Sequence, residues 1–464
     1  MITRLEVDGF KTFSKFVMEF TPFTIVAGTN ASGKSNLFDV LNLLSNLADN
    51  DVRTAFNNLR GEPEEQFTQF SINEFSNEIS IAVELLVDKK VRDNWGEEVI
   101  LKYTRLRYEI KIERIRNKNG FDDLKIIYEH LSALKHQEDR WVKNNIDKKY
   151  LEFWRPKVKT GKRGKPYILT DTKNDKQIVK IPLDGKPGPG REFSASDIAQ
   201  SALSSVNSVE FPHVYAAKNE MLNWRFLQLN PEDLRKPSSR MALGIVSHSG
   251  ANLAAALFRL KQEDDFILND ISIELNNLLP NFTKVDVSEE LAENRFIIKL
   301  KSDDGRIFSS RVLSEGTLRI LILCILKYDI KHKGIICFEE PENGIHPFRL
   351  KMMTQLLKGL TTDFTEVEEP IFPLRQMIVN THSADFIREI LEDKSFYNYT
   401  SIWFSKIISK ASSSKKYSFK ITKLVPVNYS NGQSKLDFLE PSEIEMTELD
   451  VEKYLETRDI ENLR

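Results

Sequence analysis

The eight residues from Gly28 to Ser35 constrain the fold of this chain more than any other segment does. They read Gly-Thr-Asn-Ala-Ser-Gly-Lys-Ser and follow a short apolar strand, Thr24–Ala27. After them comes a helical pattern whose apolar side chains fall on one stripe: Leu37, Val40, Leu41, Leu44 and Leu47. A glycine-bounded loop between a strand and a helix can wrap its backbone amides around phosphate oxygens. The segment therefore predicts an α/β fold with a phosphate-binding loop.

The same loop supplies side chains for a nucleotide and its metal ion. Its glycines and lysine fit the pattern GxxxxGK[ST], in which the lysine contacts phosphates and the last hydroxyl contacts Mg²⁺. Lys34 would reach the β- and γ-phosphates of ATP, and the Ser35 hydroxyl would ligate Mg²⁺. The ATP-binding residues predicted in this segment are Gly28, Asn30, Ala31, Ser32, Gly33, Lys34, Ser35 and Asn36.

A second apolar segment, Lys333–Phe338, runs into the acidic sequence Glu339-Glu340-Pro341-Glu342. Carboxylates at the end of a buried strand are costly unless a cation or a substrate compensates their charge. We therefore predict that Glu339 holds Mg²⁺ through water and that Glu340 polarises the water that attacks the γ-phosphate. Taken alone, the segment also fits a strand that ends in a solvated acidic turn.

Two shorter segments complete the set of candidate site residues. In Leu313–Arg319, Ser314 and Gly316 stand at the start of an apolar helix, where free backbone amides bind anions. In Val379–Asp385, His382 follows another apolar strand, in a position to hydrogen-bond the γ-phosphate of ATP. A plain helix cap and a plain hydrogen-bonding histidine are the alternative interpretations.

Composition excludes several classes of protein. The 464 residues carry a formal net charge of -2 and 41% hydrophobic side chains, which is ordinary for a globular protein. Cys324 and Cys337 lie inside apolar runs, so they fit core positions better than a disulfide or a zinc site. The longest strongly apolar run, Ile320–Leu326, is too short to cross a bilayer. We therefore expect a cytoplasmic protein without membrane contact.

Patterns along the chain indicate four regions: 1–115, 116–220, 221–405 and 406–464. The first contains the phosphate loop and two alternating strands, Ile79–Val87 and Lys102–Ile115. The second region is predicted to be an insertion with exposed loops. Its features are a polar helix prediction, a basic stretch and a turn-rich segment: Leu124–Val142, Arg155–Pro166 and Asp184–Gly190. The basic stretch could grip nucleic-acid phosphates, but a solvated loop is the simpler interpretation.

The third region, 221–405, is predicted to contain helices followed by strands. Helices are predicted over Met221–Leu229, Ala251–Lys261 and Asp270–Leu279. Strands are predicted over Thr283–Val287 and Arg295–Lys301, and buried parallel strands over Lys333–Phe338 and Gln376–Asn380. Two closing strands, Ser401–Phe404 and Tyr417–Leu424, lead to a tail, Asp437–Arg464, whose ten acids and three bases indicate a solvated end.

Together these motifs resemble the ABC ATPases of the SMC, RecF and OLD branch. The likeness rests on a Walker A loop (Gly28–Ser35), an LSEGT signature (Leu313–Thr317), a Walker B segment (Phe338–Glu342) and a THS switch (Thr381–Ser383). Asn343–Pro347 is similar to the D-loop of that branch, and Leu5–Phe13 is similar to its first hairpin. The resemblance implies an α/β ABC ATPase head with a mixed, largely parallel core sheet. It also implies an N-terminal antiparallel β subdomain, which with Walker A makes up 1–115, and a helical lobe that carries the signature.

The resemblance further implies a mechanism. ATP and Mg²⁺ are the expected cofactors, and two subunits are expected to form a homodimer around two ATP molecules. In that dimer Ser314 of one subunit closes over the ATP held by Lys34 of the other, and larger assemblies are left open. The usual Walker B aspartate is replaced by Glu339, which is one methylene longer. Gln66 and Gln69 are both candidates for the Q-loop glutamine.

The biological role has three interpretations. The chain resembles stand-alone ATPase subunits of anti-phage systems such as Septu and PARIS, which implies a regulatory ATPase with a separate TOPRIM or HNH effector nuclease. No nuclease-like acidic pair or His/Asn cluster follows His382, so we expect such an effector on another chain. The alternatives are a RecF-like DNA-repair ATPase that clamps on DNA, and a nucleotide-dependent scaffold with slow turnover that holds a toxic partner.

Overall fold

The structure, a computed structural model, describes the chain except for residues 73, 117–119, 121, 157–164, 174–175, 185–189, 195–198, 265, 365–373, 394, 396–399, 412–417, 429–445 and 448–464. Its strands are β1 (Ile2–Asp8), β2 (Phe16–Glu19), β3 (Phe23–Ala27), β4 (Gln69–Ser71), β5 (Glu74–Phe75), β6 (Glu78–Leu86), β7 (Lys90–Arg92), β8 (Glu98–Ile100), β9 (Arg105–Arg116), β10 (Asp122–Ala133), β11 (Leu169–Lys173), β12 (Lys176–Ile181), β13 (Arg191–Ser194), β14 (Arg225–Leu227), β15 (Ser238–Ser239), β16 (Phe282–Glu290), β17 (Arg295–Ser302), β18 (Ile307–Ser309), β19 (Gly334–Glu339), β20 (Arg375–Thr381), β21 (Thr400–Ala411), β22 (Ser418–Asn428) and β23 (Met446–Thr447). Its helices are α1 (Lys34–Leu47), α2 (Val52–Asn57), α3 (Arg140–Asn145), α4 (Leu151–Trp154), α5 (Pro212–Leu222), α6 (Pro231–Arg235), α7 (Leu253–Glu263), α8 (Ile267–Leu278), α9 (Glu315–Tyr328), α10 (Leu350–Lys358) and α11 (Ala384–Glu392).

The core sheet has the strand order β14-β19-β20-β3-β21-β22-β23. Every neighbouring pair from β14 to β21 is parallel, whereas β22 runs antiparallel to β21. A parallel sheet is covered on both faces, so its central strands are apolar throughout. Accordingly β3 and β20 are buried along their whole length. The prediction of a mixed, largely parallel core sheet is confirmed, as are its buried strands over Lys333–Phe338 and Gln376–Asn380.

Alternate side chains of the core sheet enter two different hydrophobic cores. On β19, Ile335 and Cys337 face the core shared with α1 and the N-terminal sheet, whereas Ile336 and Phe338 face the core shared with α7 to α11. This alternation follows from the two-residue period of a strand. Cys337 and Cys324 are both free and buried, as expected from the sequence.

The N-terminal sheet is antiparallel and has the order β10-β9-β6-β1-β2. It confirms the predicted antiparallel β subdomain, but it extends across the boundary that was predicted between residues 115 and 116. The helix prediction over Leu124–Val142 is wrong, because β10 occupies most of it and pairs with β9 over eleven residue positions. A bulge between Ile126 and Tyr128 and a fully buried Glu129 break the alternation that marks a strand. Only the end of that range is helical, in α3.

Glu129 is buried because the chain supplies donors for its carboxylate. It accepts hydrogen bonds from Ala202 N at 2.7 Å, Leu203 N at 2.9 Å and the Tyr108 hydroxyl at 3.1 Å. Burial raises the pKa of Glu129 to about 7 despite these donors. The carboxylate therefore attaches the segment after β13 to the N-terminal sheet.

The helical lobe contains α6 to α9 and a small antiparallel sheet of β15, β16, β17 and β18. The helices predicted over Ala251–Lys261 and Asp270–Leu279 match α7 and α8 within three residues. The helix predicted over Met221–Leu229 is wrong, because α5 ends at Leu222 and β14 then joins the core sheet beside β19. Pairing with a buried strand overrides the local helical pattern there.

Three features predicted from the sequence lie largely outside the described residues. The basic stretch Arg155–Pro166 is described only at its two ends, and Asp184–Gly190 only at Asp184 and Gly190. The acidic tail is described only at the two residues of β23. Among the described helices, none is long and apolar enough to cross a membrane.

A buried amide links the N-terminal sheet to the core sheet. Gln376 on β20 accepts a hydrogen bond from Ile2 N at 2.9 Å through Oε1. Its Nε2 donates to Ile2 O at 2.8 Å and to Thr21 O at 2.9 Å. Because Gln376 is only 1% exposed, water cannot replace these bonds if the amide is lost.

We expect Gln376→Leu to lower the free energy of unfolding by about 2–4 kcal/mol, since the buried N–H and C=O groups of Ile2 each lose a partner at about 1–2 kcal/mol. Urea denaturation measures the change. The control is Gln355→Leu on the exposed side of α10, which should stay within about 0.5 kcal/mol of the wild type. Equal stability of Gln376→Leu and the wild type would contradict the role of this amide.

Candidate functional site

The phosphate loop begins where β3 ends at Ala27 and closes where α1 begins at Lys34. Its backbone has positive φ angles at Gly28 (152°), Ala31 (61°) and Gly33 (90°). Such turns direct successive amide groups toward one point and form a concavity for an anion, next to the N-terminus of α1. The Ser32 hydroxyl is buried and has no hydrogen-bond partner among the described residues. The loop therefore fits a bound phosphate.

Lys34 lies folded against its own loop. Its Nζ donates to Gly28 O at 2.7 Å and to Thr29 O at 2.8 Å. Burial lowers the pKa of Lys34 to about 8, against the opposing charges of Glu340, Glu342 and Glu339. These short contacts place the lysine ammonium where three carboxylates and the loop meet.

A cavity of about 300 Å³ opens in front of the loop and brings most of the predicted residues together. Its lining residues are Thr12, Asn30, Ala31, Gly33, Lys34, Ser35, Asn36, Arg60, Glu339, Glu340 and Asn380. Glu339 ends β19, and burial raises its pKa while Arg60 and a hydrogen bond from the Ser35 hydroxyl lower it. Ser35 and Glu339 thus place two neighbouring oxygen-bearing side chains in the cavity, of the type that Mg²⁺ binds.

Glu340 is held in a strained position directly after β19. Its φ angle is 46°, which is unusual for a residue with a Cβ. The carboxylate Oε1 lies 2.9 Å from His382 Nδ1, and Oε2 accepts a hydrogen bond from Asn343 Nδ2 at 2.7 Å. Backbone strain of this kind persists where the surroundings fix it, which is common at functional sites. Glu340 and His382 are therefore positioned as a pair.

Glu342 takes part in a hydrogen-bond network with the residues on either side of His382. The Thr381 hydroxyl donates to Glu342 Oε1 and accepts a hydrogen bond from Ser383 N at 3.0 Å. Burial raises the pKa of Glu342, and its Oε2 has no partner among the described residues. Ser383 in turn caps α11 by accepting from Phe386 N at 3.2 Å. This network fixes the backbone on which His382 stands.

The signature segment lies at the start of α9. Ser314 caps α9, accepting from Thr317 N at 3.2 Å, and its side chain is exposed. Gly316 packs so closely on Gly344 that a Cβ at Gly316 would lie 2.3 Å from Gly344 O. Neither Ser314 nor Gly316 lines the cavity in front of Lys34. One copy of the described chain therefore does not bring the two halves of the predicted site together.

The two Q-loop candidates differ in environment. Gln66 is fully buried, and its Nε2 donates to Arg60 O at 2.9 Å and to Glu62 O at 3.1 Å. Gln69 is exposed on β4. Neither is among the residues that line the cavity, so the choice between them stays open.

Arg60 was missed by the sequence analysis. Its guanidinium donates to Asp39 on α1 at 2.7 and 3.1 Å, and Lys11 donates to the same carboxylate at 2.6 Å. Arg60 remains 61% exposed and lines the cavity opposite Glu339. A single arginine in a loop has no motif, so no pattern in the sequence pointed to Arg60. Its partner Asp39 is recognised as a buried acid only in the structure.

Comparison with known proteins gives a family and a set of structural relatives. Residues 23–388 match the family model described as "AAA domain, putative AbiEii toxin, Type IV TA system". No curated protein matches the chain. An SMC head domain from Thermotoga maritima is 11% identical, with 92% of this chain and 99% of that chain covered and a TM-score of 0.38. A Smc head domain with an extended coiled coil from Pyrococcus furiosus is 13% identical, with coverages of 92% and 96% and a TM-score of 0.44.

The family match contains Lys34, the strand end at Glu339 and Glu340, the signature at Ser314 and the switch at His382. It covers well over half of the chain. The chain therefore belongs to this AAA domain family.

Proposed function

We propose that the chain binds ATP with Mg²⁺ and hydrolyses it, and that two copies close around two ATP molecules during each cycle. The observation that supports this best is a single cavity in which Lys34, Ser35, Glu339 and Glu340 meet. The amide groups of the phosphate loop and the Lys34 ammonium would bind the β- and γ-phosphates.

Mg²⁺ would be held by the Ser35 hydroxyl, by phosphate oxygens and, through water, by Glu339. Among the described residues, no group of three or more His, Cys, Asp or Glu side chains forms a metal site by itself. The ion would therefore arrive with the nucleotide. Because Mg²⁺ requires near-octahedral geometry, the extra methylene of Glu339 favours a longer, water-mediated contact and slow turnover.

Glu340 would polarise the attacking water, and His382 would sense the γ-phosphate. Both oxygens of the Glu340 carboxylate already have donors or ring contacts, which fixes the plane of the group. A carboxylate fixed in this way can accept a proton from a water placed in line with the γ-phosphate. The Nδ1 contact to Glu340 leaves Nε2 of His382 as the ring nitrogen available for a γ-phosphate.

The position of the signature supports closure by a second copy. Ser314 is exposed and does not line the cavity of its own chain, while Gly316 packs the start of α9 against Gly344. A twofold symmetric pair would present each α9 N-terminus to the ATP of the other copy. Two equivalent composite sites would then form at one interface.

We expect Glu340→Gln to slow ATP hydrolysis by about a hundredfold or more, because the substitution removes the proton acceptor at constant size. ATP binding should persist, so ATP should hold this variant in dimers or larger even-numbered assemblies. Phosphate release and mass photometry, with and without ATP and duplex DNA, measure both effects.

Glu392→Gln, on the exposed end of α11, makes the same charge change and should behave as the wild type does. The proposal would be contradicted if the wild-type protein did not hydrolyse ATP and its oligomeric state did not change when ATP is added. Stimulation by DNA would move the interpretation toward a RecF-like DNA-repair ATPase.

Mixing two inactive variants tests whether the site is shared between copies. Lys34→Ala removes the phosphate ligand, and Ser314→Arg blocks the signature end of α9. An equal mixture should recover about a quarter of the wild-type rate, since half of the dimers are mixed and each mixed dimer keeps one intact site. Steady-state ATPase assays measure the recovery.

Each variant alone should stay inactive, and the melting temperature of Ser314→Arg must confirm a folded protein because the helix cap is lost. No recovery on mixing two folded variants that exchange subunits would contradict a shared site.

We further propose that the ATPase regulates a separate effector, of the TOPRIM or HNH nuclease class, in an anti-phage defence system. The family description names a putative toxin of a type IV toxin–antitoxin system, which supports a role in defence or in toxin control. The scaffold alternative, in which slow turnover keeps a toxic partner bound, shares this support. The DNA alternative depends on the basic stretch Arg155–Pro166, most of which lies outside the described residues.

The test is purification of the tagged chain from its own host, followed by nuclease assay of the complex. We expect a nuclease to co-purify with the wild type and its activity to change when Glu340→Gln replaces the wild type. Plaque counts on cells carrying the intact gene neighbourhood should rise for Lys34→Ala. Equal plaque counts for wild type and Lys34→Ala would contradict the defence role, and salt-sensitive binding of the chain alone to duplex DNA would favour repair.

A further inference from the structure

Two hydroxyl groups from the closing hairpin bind the backbone of the phosphate loop. Ser405 Oγ on β21 donates to Ser32 O at 2.8 Å, and Thr422 Oγ1 on β22 donates to the same oxygen at 3.2 Å. All three residues are buried, with exposures of 1%, 3% and 4% for Ser405, Thr422 and Ser32. Water therefore does not compete for this carbonyl, and within the described part of the chain the two hydroxyls are its side-chain donors.

The Thr422 hydroxyl belongs to a directed chain of hydrogen bonds. Asn36 Nδ2 on α1 donates to Thr12 Oγ1 at 2.8 Å, and Thr12 Oγ1 lies 2.6 Å from Thr422 Oγ1. A hydroxyl has one proton to donate. Since Thr422 gives its proton to Ser32 O, Thr12 must donate to Thr422. The chain runs from Asn36 through Thr12 and Thr422 to Ser32, and it joins the two ends of the sequence at the loop.

The direction of the Ser32 carbonyl decides where the next amide points. A peptide unit is planar and trans, so its C=O and N–H groups point in opposite directions. Holding Ser32 O toward Ser405 and Thr422 therefore holds the Gly33 N–H away from them. Gly33 lines the cavity in front of Lys34. The two hydroxyls thus aim an amide donor at the position of a phosphate oxygen.

The space around Gly33 agrees with this role. A Cβ at Gly33 would lie 1.9 Å from Thr422 Oγ1, so the hydroxyl occupies the volume that a side chain would need. A Cβ at Gly28 would likewise lie 2.9 Å from Ser405 O. Closely packed backbone is resistant to small displacements, so the loop keeps its shape without a nucleotide.

We propose that Ser405 and Thr422 are positioning residues for the nucleotide, which preorganise the phosphate loop from behind. This inference rests on the proposed function, since its ligand is the phosphate chain of ATP. It extends the nucleotide site to the closing hairpin, about 370 residues after the loop. Preorganised donors bind without a cost of reorientation, so the expected effect is on affinity for ATP more than on the chemical step.

The test compares Thr422→Val and Ser405→Ala, singly and together, with the wild type. Each substitution removes one hydroxyl at nearly constant shape. We expect the double variant to bind ATP about tenfold more weakly, because the nucleotide must then order a loop that the two hydroxyls no longer hold in place. Isothermal titration with ATP and Mg²⁺ gives the affinity, and steady-state kinetics should show a raised KM with kcat changed less than about threefold.

Two further variants separate positioning from general stability. Thr422→Ser keeps the hydroxyl and should restore ATP affinity to within about twofold of the wild type. Ser409→Ala removes an exposed hydroxyl from β21 and should bind ATP as the wild type does. If Thr422→Val does not fold, the double variant Ser405→Ala/Thr422→Ser still tests the loop. In that variant Ser32 O loses the donor from residue 405 and keeps the hydroxyl at residue 422.

The outcomes for the inference and for the proposed function are distinct. ATP affinity unchanged in a folded double variant would overturn the inference, and so would a Thr422→Ser variant as weak as Thr422→Val. Failure of the wild type to bind ATP, or equal binding by Lys34→Ala and the wild type, would overturn the proposed function itself.

Discussion

The position of β3 between β20 and β21 is the constraint on which the candidate site depends. All three strands are parallel, and Ala27 at the end of β3 lies opposite Thr381 on one side and Phe404 on the other. Carboxyl ends of parallel strands share one edge of a sheet, where loops from distant parts of a chain meet. The phosphate loop, the His382 segment and Ser405 therefore become neighbours although more than 340 residues separate the first from the others. Glu339 joins them because β19 pairs with β20 in the same register.

This geometry explains what the sequence could and could not predict. An apolar run that ends abruptly in glycine, acid or histidine reports both a buried strand and the functional group at its end, so β3, β19 and β20 were predicted together with Lys34, Glu339, Glu340 and His382. The hydroxyls of Thr12, Ser405 and Thr422 carry no such pattern, because a serine or threonine in a strand is equally common on a solvated face. Their role depends on which strands are neighbours, and strand order is not encoded locally.

The two wrong helix predictions, over 124–142 and 221–229, have the same origin. Over 124–142 the buried carboxylate of Glu129 reads as a polar surface position, because its donors, Ala202 N and Leu203 N, lie more than 70 residues later. The residues of β14 read as the continuation of a helix until they are seen beside β19. In both cases a long-range partner reverses a local preference, which sequence periodicity cannot detect.

The excess of negative charge at the cavity affects the form in which a nucleotide would enter it. Three carboxylates, those of Glu339, Glu340 and Glu342, act on the one ammonium of Lys34, and burial raises the pKa of Glu339 and Glu342. The nearby guanidinium of Arg60 is already shared with Asp39. A triphosphate without a cation would add further negative charge to this excess, which low-dielectric surroundings make costly. Under the proposed function, entry of ATP as its Mg²⁺ complex would lower that cost, so the carboxylates that disfavour a bare phosphate chain would favour the metal-bound one.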